Sequence, residues 1–331
     1  MELHGIHHVT AVTATAKANV EFYTGALGLR LVKKTVNQDD VSAYHFFYAD
    51  KQGSPGSDMT FFDWAQIDSN RRGSDSISTT MFRVNGRAAL DYWADRFMGL
   101  AVKHSPLETV NGCGMLRFED PEGQRLALVD DGGAAFDGEP WDGSEVPVAH
   151  AIRGLYGVQL TVPQLGQIEQ VLTRLLGFKR GAENAAAEEG APVVFGMDGG
   201  GPGREVHVSE KRQAAARLGY GGVHHVAFRL RDDAEQLAWE ERLNREGVPN
   251  SGIVDRFYFK SLYFRISNGI LFELATDGPG FATDEPVEEL GKRLALPPFL
   301  EPRRKEIEAR LKPVGGCSPA FSRRRPLDYG S

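Results

Sequence analysis

The sequence predicts an α+β protein made of four βαβββ modules, arranged in two halves and followed by a C-terminal helical extension. Three observations support this prediction. The stretch GIHHVT at residues 5–10 returns as GGVHHVAF at 221–228, which indicates internal duplication. Four successive segments each begin with a strand pattern, continue with a helical pattern and end in extended runs. With 331 residues, the chain is also longer than a single core usually grows.

The modules are recognised from the change of hydrophobic period along the chain. In module 1, Val20, Tyr23, Leu27 and Leu31 fall at three- and four-residue steps, as on a helix, and the following VSAYHFFYAD and DMTFFDW read as strands. Modules 2 to 4 repeat this order. Their first strands are ISTTMFRV, LYGVQLTV and GGVHHVAFRL, their helices are LDYWADRFMGL, QLGQIEQVLTRLLGF and DAEQLAWEERLNREGV, and their last strands are RLALVD, REVHVSE and ILFELAT.

The module order predicts the division into domains. Modules 1 and 2 are expected to form an N-terminal domain over 1–135, and modules 3 and 4 a C-terminal domain over 151–281. The stretch between them is rich in Gly, Asp and Pro and is typical of a linker. Because one small sheet cannot cover both of its faces, modules must pair, and each pair curls around a cleft. Residues 282–331 are predicted to be helices and irregular chain, ending in a solvated basic tail, SRRRP.

Composition narrows the class of partner. A formal net charge of −7 disfavours a general nucleic-acid or anionic membrane surface, so a small-molecule partner is expected. Cys113 and Cys317 lie far apart and predict two free thiols rather than a disulfide or a thiolate zinc site. No targeting segment or membrane-spanning run is visible, and a cytoplasmic location is expected.

The candidate metal ligands are His8, His225 and Glu273. Only modules 1 and 4 carry a first-strand histidine together with a last-strand acid, and Glu273 interrupts the apolar strand GILFELAT. An unpaired carboxylate costs several kcal/mol to bury, so Glu273 requires compensation from an ion pair or a metal. Two histidines and one carboxylate form the set that holds Fe(II) on one octahedral face, although the same ligand types suit Mn, Zn or Ni.

These segments also resemble a known family. GIHHVT, FYTGALGLRLVKKTVNQDD, GGVHHVAF and LYFRISNGILFELATDGPGF resemble the hydroquinone-type ring-cleaving extradiol dioxygenases of the vicinal oxygen chelate, or glyoxalase/bleomycin resistance/dioxygenase, superfamily. The resemblance covers nearly the whole chain. It implies the vicinal oxygen chelate fold, an Fe(II) centre at His8, His225 and Glu273, and cleavage of a small aromatic diol by O₂, with hydroquinones favoured over catechols.

The resemblance also implies residues around the substrate, namely His7, His224, Thr10, Arg256 and Tyr263. On a flat strand, adjacent histidines point to opposite faces. His7 and His224 would therefore reach the pocket only through local twist, or else support the ligands from behind. Tyr263 is predicted to lie on the strand next to Glu273, because the intervening SNG is a hairpin signal.

Two rival functions follow from the same pattern. Asp63 aligns with Glu273 in module 1, and as a fourth ligand it would indicate a glyoxalase-like isomerase or thiol transferase with Ni, Zn or Mn. His207 takes the same place in module 3, where a structural role is expected. The second rival is a protein that binds an aromatic compound without turnover. Both halves of the site lie in one chain, so a homo-oligomer is allowed but not required.

Overall fold

The structure is a computed structural model that describes residues 1–181, 190–266 and 269–314. The predicted hairpin turn at residues 267–268, Cys317 and the basic tail at 322–326 lie outside these residues. Within the described ranges no helix is long and apolar enough to cross a membrane.

Modules 1 and 4 together form the first eight-stranded sheet. Its strand order is β14-β15-β16-β13-β1-β4-β3-β2. The central pair, β1 and β13, carries the two doubled histidines and runs antiparallel. The strands are β1 (Ile6–Thr13), β2 (Arg30–Val36), β3 (Tyr44–Ala49), β4 (Asp58–Asp63), β13 (Gly222–Leu230), β14 (Asn250–Asp255), β15 (Lys260–Arg265) and β16 (Leu271–Thr276).

Modules 2 and 3 form the second sheet with the same plan. Its order is β10-β11-β12-β9-β5-β8-β7-β6, and the antiparallel β5–β9 pair joins the two modules. The strands are β5 (Ser76–Val84), β6 (Glu108–Val110), β7 (Cys113–Glu119), β8 (Arg125–Asp130), β9 (Leu155–Val162), β10 (Lys179–Arg180), β11 (Val193–Gly196) and β12 (Glu205–Glu210).

The four βαβββ modules and the α+β class are confirmed, and the strand ladders show which modules pair. Module 1 pairs with module 4 and module 2 with module 3, because the first strands of the modules form the ladders that join them. Each sheet therefore takes one module from each half of the chain. The predicted boundaries, 1–135 and 151–281, remain a division of the sequence rather than of the sheets.

Each module contributes one helix, and the helices bury aromatic and aliphatic side chains in the core. Trp93 and Phe97 of the second helix and Trp239 and Leu243 of the fourth are buried. The helices are α1 (Ala16–Val20, continued by a π-helix Glu21–Ala26), α2 (Gly86–Gly99), α3 (Leu165–Gln170, continued by a π-helix Val171–Leu175), α4 (Asp233–Arg245) and α5 (Arg304–Arg310). Short 3₁₀ turns occupy Val148–His150, Phe281–Thr283, Val287–Glu289 and Glu301–Arg303.

The C-terminal extension lies against β2 of the first sheet. Gly291 has a φ of +77°, and a Cβ there would stand 1.7 Å from the carbonyl oxygen of Leu31, so only glycine allows this approach. A backbone bridge joins Lys34 to Leu294 a few residues later. The described part of the extension is mostly irregular chain, with α5 as its one α-helix.

Candidate metal centre

Strand register brings the three candidate ligands to one face of the first sheet. His8 stands opposite Ala227 on β13, which in turn stands opposite Glu273 on β16. His225 stands opposite Thr10 on β1, one step along the same face. Since residues two apart on a strand share a face, His8, His225 and Glu273 project to the same side.

The ligand atoms converge to within bonding distance of a common point. The Nε2 atoms of His8 and His225 lie 3.4 Å apart, and Oε2 of Glu273 lies 3.2 Å from the first and 2.9 Å from the second. With bonds of about 2.1 Å, neighbouring ligands of an octahedral ion lie about 3.0 Å apart. All three side chains are buried. Among the described residues, they are the one set of three His, Cys, Asp or Glu side chains whose donor atoms lie close enough together to hold a metal ion.

The chemistry of these donors fits a divalent cation. Burial by itself would raise the pKa of Glu273. The charges and hydrogen bonds of His8 and His225 have the larger effect and hold that pKa well below its usual range. Burial also lowers the pKa of His225, which favours the neutral imidazole that binds metals. Among the described residues, the Glu273 carboxylate oxygens have no polar neighbours other than the two histidines. A cation bound between the three side chains would therefore supply the partner that each of them lacks.

Each doubled histidine lies at a β-bulge. Along the β1–β13 ladder, Ile6 pairs with Phe228 but His8 pairs with Ala227, which leaves His7 as the extra residue. On the other strand, the same irregularity leaves His224 extra. Bulges re-aim side chains next to functional sites. The strands are not flat at these positions, and the rings of neighbouring histidines turn far enough to meet.

His7 and His224 contact the ligands rather than the cavity. Nδ1 of His7 lies 2.9 Å from Nδ1 of His8, and Nδ1 of His224 lies 2.7 Å from Nδ1 of His225. Burial lowers the pKa of both supporting histidines to about 3, so each stays neutral and can accept a hydrogen bond from the Nδ1–H group of its neighbour. A ligand histidine that donates through Nδ1 directs its Nε2 lone pair to the metal.

Tyr263, Arg256 and Thr10 line the cavity beside the ligands. Tyr263 is the direct cross-strand partner of Glu273, as predicted, and its ring lies 5.7 Å from that of His225. Burial and Glu273 raise the pKa of Tyr263, which keeps its hydroxyl protonated. The Arg256 guanidinium lies 5.5 Å from the Tyr263 ring and forms two hydrogen bonds with Asp39, at 3.0 and 2.9 Å.

The assignment of Asp63 to the place of Glu273 is wrong by three residues. The parallel ladder pairs Thr10 with Thr60, as Ala227 pairs with Glu273, so Thr60 takes that place in module 1. Asp63 projects to the opposite face of the sheet. Its carboxyl has a pKa raised to about 6 by burial, and it does not belong to the ligand group.

His207 and Cys113 belong to the second sheet, away from the ligand group. His207 is buried, and its Nε2 lies 2.8 Å from Oε2 of Glu205. The thiol of Cys113 is partly buried, 3.5 Å from the Tyr156 hydroxyl. The structural role expected for His207 is consistent with this ion pair.

The cavity above the ligands also contains residues that are not among the predicted site residues. His45, Phe62 and Phe259 line it together with Gln38 and Asp39. Phe259 packs on the ring of His8, with centroids 5.1 Å apart. A histidine within the strand YHFFYA was the one available hint of His45 in the sequence. The strand pattern alone does not distinguish a cavity-lining residue from the core aromatics around it.

The cavity is small, at about 40 Å³, which is room for a few water molecules. Gln38 donates to the carbonyl of Arg256 at 2.8 Å, so the segments after β2 and β14 are joined over the ligands. A larger cavity of about 690 Å³ lies near Arg30 and Trp141, but none of the three ligands lines it.

Comparison with known proteins defines the family to which this fold and site belong. The Glyoxalase/Bleomycin resistance protein/Dioxygenase superfamily model matches residues 5–128 and 154–277, and the chain belongs to this superfamily. Glyoxalase I from Zea mays, 14% identical, shares the fold with a TM-score of 0.59 over 82% of this chain and 92% of its own.

More similar relatives carry the names of ring-cleaving enzymes. The chain is 48% identical to the "Putative ring-cleaving dioxygenase MhqA" of Bacillus subtilis (strain 168), over 95% of this chain and 100% of the relative. It is 30% identical to a chlorohydroquinone/hydroquinone 1,2-dioxygenase of Sphingobium indicum, over 92% and 95%. A crystal structure of a Bacillus subtilis protein described as a putative dioxygenase has 34% identity and a TM-score of 0.87, over 95% and 98%.

Proposed function

We propose that the protein is an Fe(II)-dependent, extradiol-type ring-cleaving dioxygenase that acts on hydroquinone- or catechol-type aromatic diols with O₂. The observation that carries this proposal is the convergence of His8, His225 and Glu273 in a cavity lined by aromatic side chains. Three protein ligands leave positions free for a diol and for dioxygen. The names of the relatives support a diol substrate, and hydroquinones are favoured because of the Sphingobium indicum enzyme.

The metal would supply Lewis acidity toward the diol oxygen and electron transfer toward O₂. The side chains around it have separate roles. His7 and His224 hold the ligand rings through their Nδ1 atoms, so they act as positioning residues. The protonated hydroxyl of Tyr263 donates a hydrogen bond to a substrate oxygen and can act as the general acid. Arg256 stabilises negative charge that develops near Tyr263.

The four-ligand isomerase or transferase is less well supported by the site. A fourth ligand from module 1 would project from the place of Glu273, and Thr60 stands there. Its hydroxyl is already engaged by Thr10 and His45, at 2.8 and 3.0 Å. A neutral hydroxyl in two hydrogen bonds is a poor substitute for a carboxylate ligand.

The test is oxygen uptake by protein loaded anaerobically with Fe(II), across a panel of substituted hydroquinones and catechols. Uptake that requires both Fe(II) and a diol supports the proposal. Isomerase or thiol-transfer activity with Ni, Zn or Mn would favour the first rival. Saturable diol binding without uptake, with or without metal, would favour a binding protein and contradict the proposal.

A further inference from the structure

His45 lines the same cavity as His8 and His225, although it belongs to β3, two strands away from β1 in the sheet. It stands opposite Phe62 in the β3–β4 ladder, so its side chain lies on the same face as Thr60. The aromatic rings of Phe47 and Phe62 pack against its imidazole, with ring centroids 4.0 and 4.4 Å away. This packing fixes the plane of the imidazole, and the ring lines the cavity together with His8.

A chain of hydrogen bonds joins His45 to the edge of the metal centre. Nε2 of His45 lies 3.0 Å from Oγ1 of Thr60, which lies 2.8 Å from Oγ1 of Thr10. Both threonines are fully buried, and Thr10 stands directly opposite His225. A hydroxyl has one proton, so Thr60 between two partners accepts from one and donates to the other.

The other ring nitrogen of His45 is available to a ligand. Among the described residues, none forms a hydrogen bond with Nδ1. Burial first, and then the charges of His8, His225 and Arg256, hold the pKa of His45 well below its usual value despite Glu273. A neutral imidazole that gives its Nε2 proton to Thr60 presents an Nδ1 lone pair to the cavity.

We propose that His45 is a catalytic residue that contacts the diol through Nδ1 and passes a proton along His45, Thr60 and Thr10. The proposal rests on the proposed function, since it names a diol as the occupant of the cavity. The diol O–H bond breaks as an N–H bond forms at Nδ1, and the Nε2 proton moves to Thr60. Thr60 gives its own proton to Thr10, and Thr10 passes its own proton to a water molecule in the cavity, which becomes hydronium. The imidazole ends neutral, in its other tautomer.

The experiment compares four variants with the wild-type protein, each loaded anaerobically with Fe(II). His45→Gln keeps a polar side chain but accepts no proton, and Thr60→Val interrupts the chain. Thr60→Ser restores the hydroxyl. His104→Gln, at a backbone bridge to the second sheet, is the matched control, because its Nδ1 forms a hydrogen bond with the carbonyl oxygen of Ser105, away from the cavity. The readouts are iron content, the ultraviolet signature of the phenolate on anaerobic binding of methylhydroquinone, and oxygen uptake.

We expect full iron content in all four variants. His45→Gln and Thr60→Val should lose the phenolate signature and about 100-fold in kcat. Thr60→Ser should recover most of the activity that Thr60→Val loses, and His104→Gln should stay close to wild type. The proposal is overturned if His45→Gln keeps the signature and turnover, or if it fails to load iron, which would indicate a structural histidine.

The result for His45 can be distinguished from the result for the proposed function. If the wild-type protein forms the phenolate but consumes no oxygen, the proposed function fails and the signature in His45→Gln still decides the role of His45. If methylhydroquinone and catechol both fail to bind the iron-loaded wild-type protein, both proposals are overturned.

Discussion

At the scale of single residues, the centre depends on Glu273. Its carboxylate is the one negative charge in the ligand group, and it is fully buried between two imidazoles. Glu273→Ala should abolish high-affinity metal binding, because two neutral histidines remain to hold a divalent ion in a buried site. The measurement is iron content after anaerobic reconstitution and desalting.

Glu205 provides the matched control for that prediction. It too carries a carboxylate next to a buried histidine, His207, but in the second sheet. Glu205→Ala should load iron as the wild-type protein does. Equal iron in both variants would show that Glu273 is not a ligand.

In the proposed centre, the supporting histidines bond to the ligand rings and not to the metal. His224→Phe removes the Nδ1 partner of His225 and leaves the three ligands in place. We expect metal affinity to fall about 10- to 100-fold, as is usual when the outer partner of a ligand is lost. Competition with a coloured chelator measures the dissociation constant, and an unchanged value would argue against a positioning role.

Asp120 should make stability depend on pH. Burial raises the pKa of its carboxyl to about 7, although the backbone N–H groups of Gln124 and Glu122 and the hydroxyl of Tyr23 oppose the shift. Between about pH 4 and pH 7 the folded state therefore binds more protons than the unfolded state at this group. Its contribution to the free energy of unfolding falls as pH rises, by up to about 1.4 kcal/mol per pH unit.

Urea denaturation across this pH range checks the prediction with Asp120→Asn. The variant should lack this component of the slope, whereas Asp68→Asn, at an exposed aspartate, should keep it. Parallel curves for Asp120→Asn and wild type would count against the raised pKa.

At the scale of elements, part of the site could be predicted from local patterns and part could not. The first strands and their doubled histidines are visible in the sequence, as is the neighbouring position of Tyr263 and Glu273. The bulges at His7 and His224 are not, because they arise from the register between two distant strands. For the same reason Thr60, rather than Asp63, takes the place of Glu273, since the ladder with β1 sets that register.

The extension is held to the first sheet by a buried ion cluster. The Lys33 ammonium is buried and forms ion pairs with Asp284, at 2.7 Å, and with Glu285. It also lies over the ring of Tyr258, a residue that lines the cavity. Lys33→Met should lower the free energy of unfolding by roughly 3 kcal/mol, because it leaves a buried carboxylate with weaker compensation.

Chemical denaturation measures this loss, and Lys34→Met on the same strand is the control. Among the described residues, the Lys34 ammonium has one hydrogen-bond partner, the carbonyl oxygen of Lys292, at the long distance of 3.5 Å. Equal stability of the two variants would indicate that the cluster does not hold the extension.

At the scale of the whole molecule, duplication distributes one site over both ends of the chain. Modules 1 and 4 pair, so His8 meets a histidine 217 residues away in sequence. The second sheet repeats the plan with Thr79, Ala127, Gly157 and His207 at the corresponding places, and no ligand group appears there among the described residues. The first sheet thus carries the candidate ligand group. The sequence indicated the shared site, but its pattern did not determine which modules pair, because pairing depends on long-range strand contacts.

The most direct test of the central claim is the fate of isotopically labelled dioxygen. Protein loaded with Fe(II) is given methylhydroquinone under labelled O₂, and the product is examined by mass spectrometry. A ring-cleaving dioxygenase places both labelled atoms in a ring-opened product, and His225→Ala, which lacks a ligand, should give none. Conversion of the diol to an unlabelled quinone, or no conversion by fully iron-loaded protein with any diol tested, would contradict the account.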